Sequence, residues 1–373
     1  MSIVTTHGEM VQAMAACRAN TRHAASDSLE IVAEPRNTTL RIGNHDAWFI
    51  AKPWTLTSTP DRFAVRARDM WGLLEAKEPQ NTPVCIDCTD MGGNLRACHV
   101  RIGTRVYTLP IIETEENPPE SGHVPNPVAR ITARNLADLL ATTIPFAAKN
   151  DPGRRFLEGV LLHSSSAEGR LYAVSSDGHV MSVTSRRASV LLERGIEPGI
   201  LPLREARVLA RALARIAEPN ADVVISRHAR FMQFGIGMKH TFGVRMLEET
   251  YLEYQKFIPR HPQSRAIMRT GTMRKVMRAI TAAMPPGDHT VVVRILADSV
   301  TVGPATSTES HRIDARVTGT ETTVGFRADR LSEIIAHMDA DEMGLGIACQ
   351  SLPASITDAV HGITTFVLMP QRV

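Results

Sequence analysis

The sequence predicts an α+β protein made of three repeats, each running helix, strands, helix, strands. Six segments carry the apolar period of a helix and fall into three pairs. Runs of alternating or β-branched residues separate them, as antiparallel strands require. Corresponding helices of the first set start about 125–137 residues apart, which is too long for a solenoid but suits repeated domains. Evenly spaced but unrelated α+β segments would give the same outline.

In chain order, the first helix of each pair is "HGEMVQAMAACRA" (7–19), "TARNLADLLATTIPF" (132–146) and "RTGTMRKVMRAITAAM" (269–284). The second is "ARDMWGLLEAK" (67–77), "PLREARVLARALARI" (202–216) and "FRADRLSEIIAHMDADE" (326–342). Between them "LYAVSS" (171–176), "DVVISR" (222–227), "FMQFGIGM" (231–238), "TVVVRIL" (290–296), "SVTVG" (299–303) and "TTFVLM" (364–369) read as strands. Proline and glycine mark the joins "ENPPESGHVPNP" (116–127) and "IPRHPQS" (258–264). The expected domains are therefore 1–123, 124–256 and 257–373.

The chain has 373 residues, enough for two or three domains that each bury a core. With 43% apolar and 22% charged residues it has a globular balance rather than a disordered one. Aromatics are only 5%, so the cores should rest on Ala, Leu, Ile, Val and the 16 Met. No run approaches the roughly 18–20 apolar residues of a membrane helix, and "MSIVTTHGEMVQAM" lacks the pattern of a signal peptide. Five Cys, an odd number, favour a reducing compartment over a disulfide framework. A cytoplasmic protein with no membrane partner is expected.

A net charge of +3 says little, so the placement of the charge matters more. On a helix at 203–217, Ala206, Leu209, Leu213 and Ile216 share one face, while Arg204, Arg207, Arg211 and Arg215 share the opposite one. The segment 269–284 repeats the plan, with Met273, Val276, Met277, Ile280 and Met284 inward and Arg274, Lys275 and Arg278 outward. The loop "KNDPGRRF" adds Lys149, Arg154 and Arg155. In the first repeat Arg18, Arg22 and Lys77 are offset by Glu75 and Glu78. A solvated surface normally mixes signs, because like charges at i,i+4 repel. Four arginines without interleaved carboxylates fit a polyanion better. No aromatic ladder accompanies them, so a duplex backbone, read without regard to sequence, is the expected ligand.

Candidate catalytic groups are few. "CIDC" (85–88) with Cys98 and His99 has the residue types of a zinc site, but a strand would point Cys85 and Cys88 to opposite faces, so buried thiols are favoured. "SDGHV" (176–180) offers Asp177 and His179 for acid–base or metal chemistry, yet Asp-Gly after a strand is first a turn signal. No GxxxxGK[ST], GxGxxG or HExxH occurs, and neither a cofactor nor a metal is called for.

Several stretches then converge. "RRFLEGVLLHSSSAEGRLYAVSSDGHVMSV" (154–183), "YLEYQKFIP" (251–259) and "TTFVLMPQRV" (364–373) resemble the bacterial sliding clamp, the beta subunit of DNA polymerase III. That family has a "VATDGHRL" turn, a "FPDYxxVIP" connector and a chain end close to "VMPMRL". The resemblance runs strongly from about residue 130 and in outline before it.

The resemblance implies a DNA clamp fold: three repeated domains, each with two helices packed on antiparallel sheets, two chains closing head-to-tail into a ring around duplex DNA. It implies a processivity factor and not an enzyme, opened by an external ATP-dependent clamp loader. Arg22, Lys149, Arg154, Arg155, Arg204, Arg207, Arg211, Arg215, Arg274, Lys275 and Arg278 would face DNA. Replicative polymerase and repair proteins would dock short linear peptides in an apolar pocket. Carried over by residue, that pocket takes Leu157, Ser176, Gly178, His179, Val180 and Met181, then Leu252, Lys256 and Phe257. Pro353, Val367, Leu368, Met369, Pro370, Gln371 and Arg372 complete it. The chain departs from the family at "DGHV", "YLEY" and "MPQRV", all at this pocket. Two other readings stay open at this point: a metal-dependent hydrolase using Asp177, His179 and the Cys85–His99 cluster, and a basic DNA-binding scaffold that closes no ring.

Overall fold

The computed structural model describes the chain except for residues 1, 22–26, 35–36, 45, 58, 77, 93–94, 114–125, 166, 192–196, 217, 285–288, 361 and 373. Six α-helices are present among the described residues: α1 (His7–Thr21), α2 (Ala67–Leu74), α3 (Ala133–Thr143), α4 (Leu203–Ile216), α5 (Thr270–Ala283) and α6 (Ala328–Ala336). All six segments with helical period are thus helices. The sixth is shorter than expected at both ends. Phe326 and Arg327 finish the strand Thr322–Arg327, and the chain re-enters a strand at Glu342. The proposed join at 116–127 lies almost wholly outside the described residues, whereas 258–264 runs from a 3-10 turn (Tyr254–Phe257) into the strand Ser264–Arg269.

Two compact units divide the chain. One comprises 1–140, 164–170 and 187–248; the other comprises 141–163, 171–186 and 249–373. In the first unit a five-stranded sheet takes the order Leu56–Thr57, Ser2–Thr6, Pro83–Gly92, Leu95–Ile102, Arg105–Pro110. A nine-stranded sheet holds Asn126–Thr132, Asp222–His228, Phe231–Ile236 and His240–Arg245 beside Ala47–Ala51, Asn37–Gly43, Ser28–Glu34 and Asp61–Arg66, with the short Ser189–Val190 at one edge. The seam is the antiparallel pairing of His240–Arg245 with Ala47–Ala51. It makes one sheet from strands of the first and second repeats. Helix α1 packs on α2 and α4 within this unit.

In the second unit the larger sheet runs Gly159–Ser165, Arg170–Ser176, Val180–Arg187, Thr364–Leu368, Ala354–Asp358, Glu342–Ile347, Ser264–Arg269, Arg316–Gly319. A four-stranded sheet takes the order His311–Asp314, Ser299–Pro304, Thr290–Ile295, Thr322–Arg327. The apolar run near the chain end is an interior strand. Its Phe366, Val367 and Leu368 pair with Ser182, Met181 and Val180 on one side and with Ile356, Ser355 and Ala354 on the other. Phe366 is fully buried against Phe146, ring centroids 5.1 Å apart. Met273, Met277, Ile280, Leu331, Ile334 and Ile335 complete this core from α5 and α6, so methionine fills space that aromatics would otherwise take.

Candidate functional site

The turn between the strands Arg170–Ser176 and Val180–Arg187 is built from its own side chains. One carboxylate oxygen of Asp177 accepts hydrogen bonds from the N–H groups of His179 and Val180, both at 2.9 Å, as an Asx turn does. Ser176 donates its hydroxyl to the Val180 carbonyl at 2.8 Å and accepts from the Gly178 N–H at 3.0 Å. Gly178 has φ +89, a conformation open to glycine. The chain end then locks on, with Met369 donating its N–H to the His179 carbonyl at 3.0 Å.

This turn is one wall of a cavity of about 200 Å³ in the second unit. Ser176, Gly178, His179, Val180 and Met181 line it, together with Leu157, Leu252, Phe257, Pro353, Val367 and Met369. The expectation included each of these. Phe257 (52% exposed) and Met369 (42%) leave large apolar surface at the rim, the usual mark of a docking site. A space this size holds one or two apolar side chains of a ligand, with backbone and charged groups to orient them.

Two lining residues were not among those expected for the pocket. Arg154 was assigned to DNA, but its guanidinium lies over Gly178 and pairs with Asp151 at 2.7 Å, so it belongs to the cavity wall. Phe156, next to Leu157, lines it as well and stacks edge-on to Tyr251, centroids 6.0 Å apart. The signal for both lies in "RRFL", whose arginines look like loop charge in the sequence.

Five expected pocket residues lie elsewhere. Leu368 is 1% exposed and belongs to the core below. Lys256 forms an ion pair with Glu253 outside the lining. Pro370, Gln371 and Arg372 line a second cavity of about 510 Å³ with Thr323, Val324, Gly325, Gln350 and Ser351, and Met369 borders both cavities. Gln371 is held there by its N–H to the Gly325 carbonyl at 2.8 Å and by the Thr290 hydroxyl at 2.8 Å.

The basic faces divide unevenly. On α4, Ala206, Leu209 and Leu213 are buried as expected, with Val208 and Ala212 beside them. Arg204, Arg207 and Arg215 are exposed, and Arg211 is half-buried with its Nε on the Arg207 carbonyl at 3.2 Å. Among the described residues no carboxylate pairs with Arg207 or Arg215, and Arg204 reaches Glu205 only at 4.0 Å. On α5, Lys275 and Arg278 are exposed, but Arg274 is not directed outward with them. Its guanidinium donates to the carbonyls of Ile335 (3.0 Å) and Met338 (2.8 Å), satisfying the C-terminal end of α6. Lys149 and Arg155 are exposed, the latter 3.8 Å from Glu249, and Arg22 lies outside the described residues.

The hydrolase residues do not assemble. Asp177 is committed to its turn and to Arg330, with N–O 2.6 Å. In the Pro83–Gly92 and Leu95–Ile102 pair, Cys85 faces Arg101 while His99 faces Asp87 and bonds to Thr108 (2.9 Å) and Thr89 (3.0 Å). Cys88 and Cys98 are buried and directly opposed, whereas Cys85 is half-buried. A hydrogen bond from Cys98 holds the Cys88 thiol below its usual range and Cys98 above it. Among the described residues no group of three His, Cys, Asp or Glu side chains gathers around a metal-sized space. No helix among them is long and apolar enough to cross a membrane.

No family model matches the chain. It is similar to a beta sliding clamp of Rickettsia bellii (strain RML369-C), 23% identical over 281 residues that cover 72% of each chain. Its structure matches the DNA polymerase III subunit beta of Pseudomonas aeruginosa with a TM-score of 0.87, over 100% of both chains and at 16% identity. A sliding clamp of Pseudomonas aeruginosa bound to griselimycin matches at 0.83, again over 100% of both chains, at 17% identity. The chain resembles the bacterial beta sliding clamp in sequence and carries the sliding-clamp fold along its whole length.

Proposed function

We propose that the chain is a DNA sliding clamp, a processivity factor with no catalysis of its own. The observation that carries this reading is the apolar cavity formed on that fold by Leu157, the 176–181 turn, Leu252, Phe257 and the strand end at Val367–Met369. It is a place to hold a partner's peptide rather than a place to transform a substrate. Replicative polymerase, an ATP-dependent loader and repair proteins are the partners in this reading, each docking a short segment with apolar anchors. The division into 1–123, 124–256 and 257–373 makes each domain a pair of helices with its own strands. Two chains close a ring head-to-tail, with the edge Arg105–Pro110 of one, open among the described residues, meeting the edge His311–Asp314 of the other.

Arg204, Arg207, Arg211 and Arg215 on α4, with Lys275 and Arg278 on α5, then touch phosphates. Contacts of this kind do not depend on base sequence, so a step along the duplex exchanges equivalent contacts and the ring slides. A polymerase tied to the ring stays at high effective concentration at its template. The protein acts in the cytoplasm, where replication takes place in bacteria.

Loading onto nicked circular DNA tests the topology. After loader and ATP have acted, the protein should stay on the circle through gel filtration and leave when the DNA is cut once. Equal retention on circular and linear DNA would show that it binds without encircling, the result that the basic scaffold requires.

A further inference from the structure

We propose that Arg330 is a positioning residue for the partner-peptide pocket, holding from outside the cavity the carboxylate that shapes the Gly178–His179 wall. The inference rests on the clamp reading of that pocket. Arg330 lines neither cavity. It is the third residue of α6, and its guanidinium meets Asp177 at 2.6 Å. A second bond to Glu333, at 3.2 Å, fixes the guanidinium in place.

A cation in the first turn of a helix opposes the helix dipole, so this position is unfavourable unless an anion compensates it. Asp329 in the same turn and Glu333 one turn on supply part of that compensation, and Asp177 supplies the rest from across the turn, at the shortest distance. The Asp177 side chain is 13% exposed and that of Arg330 29%, so the pair is partly shielded from water and is worth more than a surface ion pair. The geometry also divides the labour of the carboxylate. One oxygen accepts from His179 and Val180 and sets the turn, and the other takes the arginine. Without Arg330 the carboxylate has a reason to turn toward water, and each step of that rotation breaks the bonds that set the turn. His179 then moves, together with the carbonyl that receives the Met369 N–H.

Griselimycin, titrated calorimetrically into the full chain, is the probe, with Met369→Glu as the control that assigns binding to the pocket. Arg330→Ala should weaken binding about tenfold, as removal of one charge-assisted hydrogen bond implies. Arg330→Lys should recover most of that affinity. Asp177→Asn keeps an acceptor for the turn but loses the charge, so it should match Arg330→Ala. The double variant should be no worse than either single one, a coupling that a general fall in stability does not produce. Unchanged affinity in both single variants, or additive effects in the double, would overturn the role of Arg330 and leave the pocket standing. No binding by the wild-type chain, or binding insensitive to Met369→Glu, would overturn the pocket reading and the inference with it. Should Arg330→Ala not fold, Arg330→Lys and Asp177→Asn carry the same comparison.

Discussion

Gly178 is confined to glycine by its backbone conformation, and a side chain there would also have to displace the end of the Arg154 side chain. Its φ of +89 disfavours any residue with a Cβ, and a Cβ built there would lie 2.7 Å from the Arg154 guanidinium. Gly178→Ala should therefore push Arg154 off the pocket wall and cost about 1–2 kcal/mol in urea unfolding, with a larger relative drop in peptide affinity. A variant with wild-type stability and affinity would show that the turn relaxes freely. The Asp-Gly turn was legible in the sequence, because a short acceptor before a glycine sets this geometry locally. Arg154 was not. The turn it covers lies well further along the chain, and "RRF" looks the same whether the arginine reaches out to DNA or folds back.

The helices show the same contrast at the scale of an element. On α4 the sequence sufficed, since an apolar stripe fixes which face is inward and the arginines fall opposite. On α5 the stripe was also right, with Met273, Met277 and Ile280 buried, yet it misplaced Arg274. That side chain leaves the face its position suggests because α6 ends beside it with open carbonyls. A helical wheel records angle and cannot record a neighbour that is 61 residues away. The two roles separate by substitution. Arg274→Ala should lower stability by about 1–3 kcal/mol, since two carbonyls are deprived of a charged donor, and leave the salt dependence of DNA binding as it was. Replacing Arg207, Arg211 and Arg215 by Glu should do the reverse, keeping the fold while flattening the slope of log K against log salt by about 0.9 for each phosphate no longer neutralised. An outward-facing Arg274 would be restored if Arg274→Ala lowered the salt slope without touching stability.

At the scale of the whole molecule, the helix–strand repeats were legible while the grouping into compact units was not. Each repeat signals itself by local periodicity, but the nine-stranded sheet is closed by pairing Ala47–Ala51 with His240–Arg245, a register that nothing local encodes. The strands of the middle repeat consequently belong to both units, Asp222–His228 to one and Arg170–Ser176 essentially to the other. The same sheets leave particular edges open. Among the described residues Arg105–Pro110 pairs on one side only, with Leu95–Ile102, and its Val106 is 58% exposed. An open edge with exposed apolar side chains invites another chain, and a protein keeps such an edge where it has a partner to place there. In the proposed ring that partner is the His311–Asp314 edge of a second copy. Val106→Glu puts a charge into the middle of this junction without touching either core. Light scattering should give twice the 40.9 kDa chain mass for the wild type at micromolar concentration and the single mass for the variant, with unchanged far-UV circular dichroism showing that the chain still folds. Disruption of the dimer should abolish retention on circular DNA while leaving the pocket intact, because the pocket lies within one chain. A variant that stays dimeric would place the junction on other strands, and a wild type that is monomeric would remove the ring.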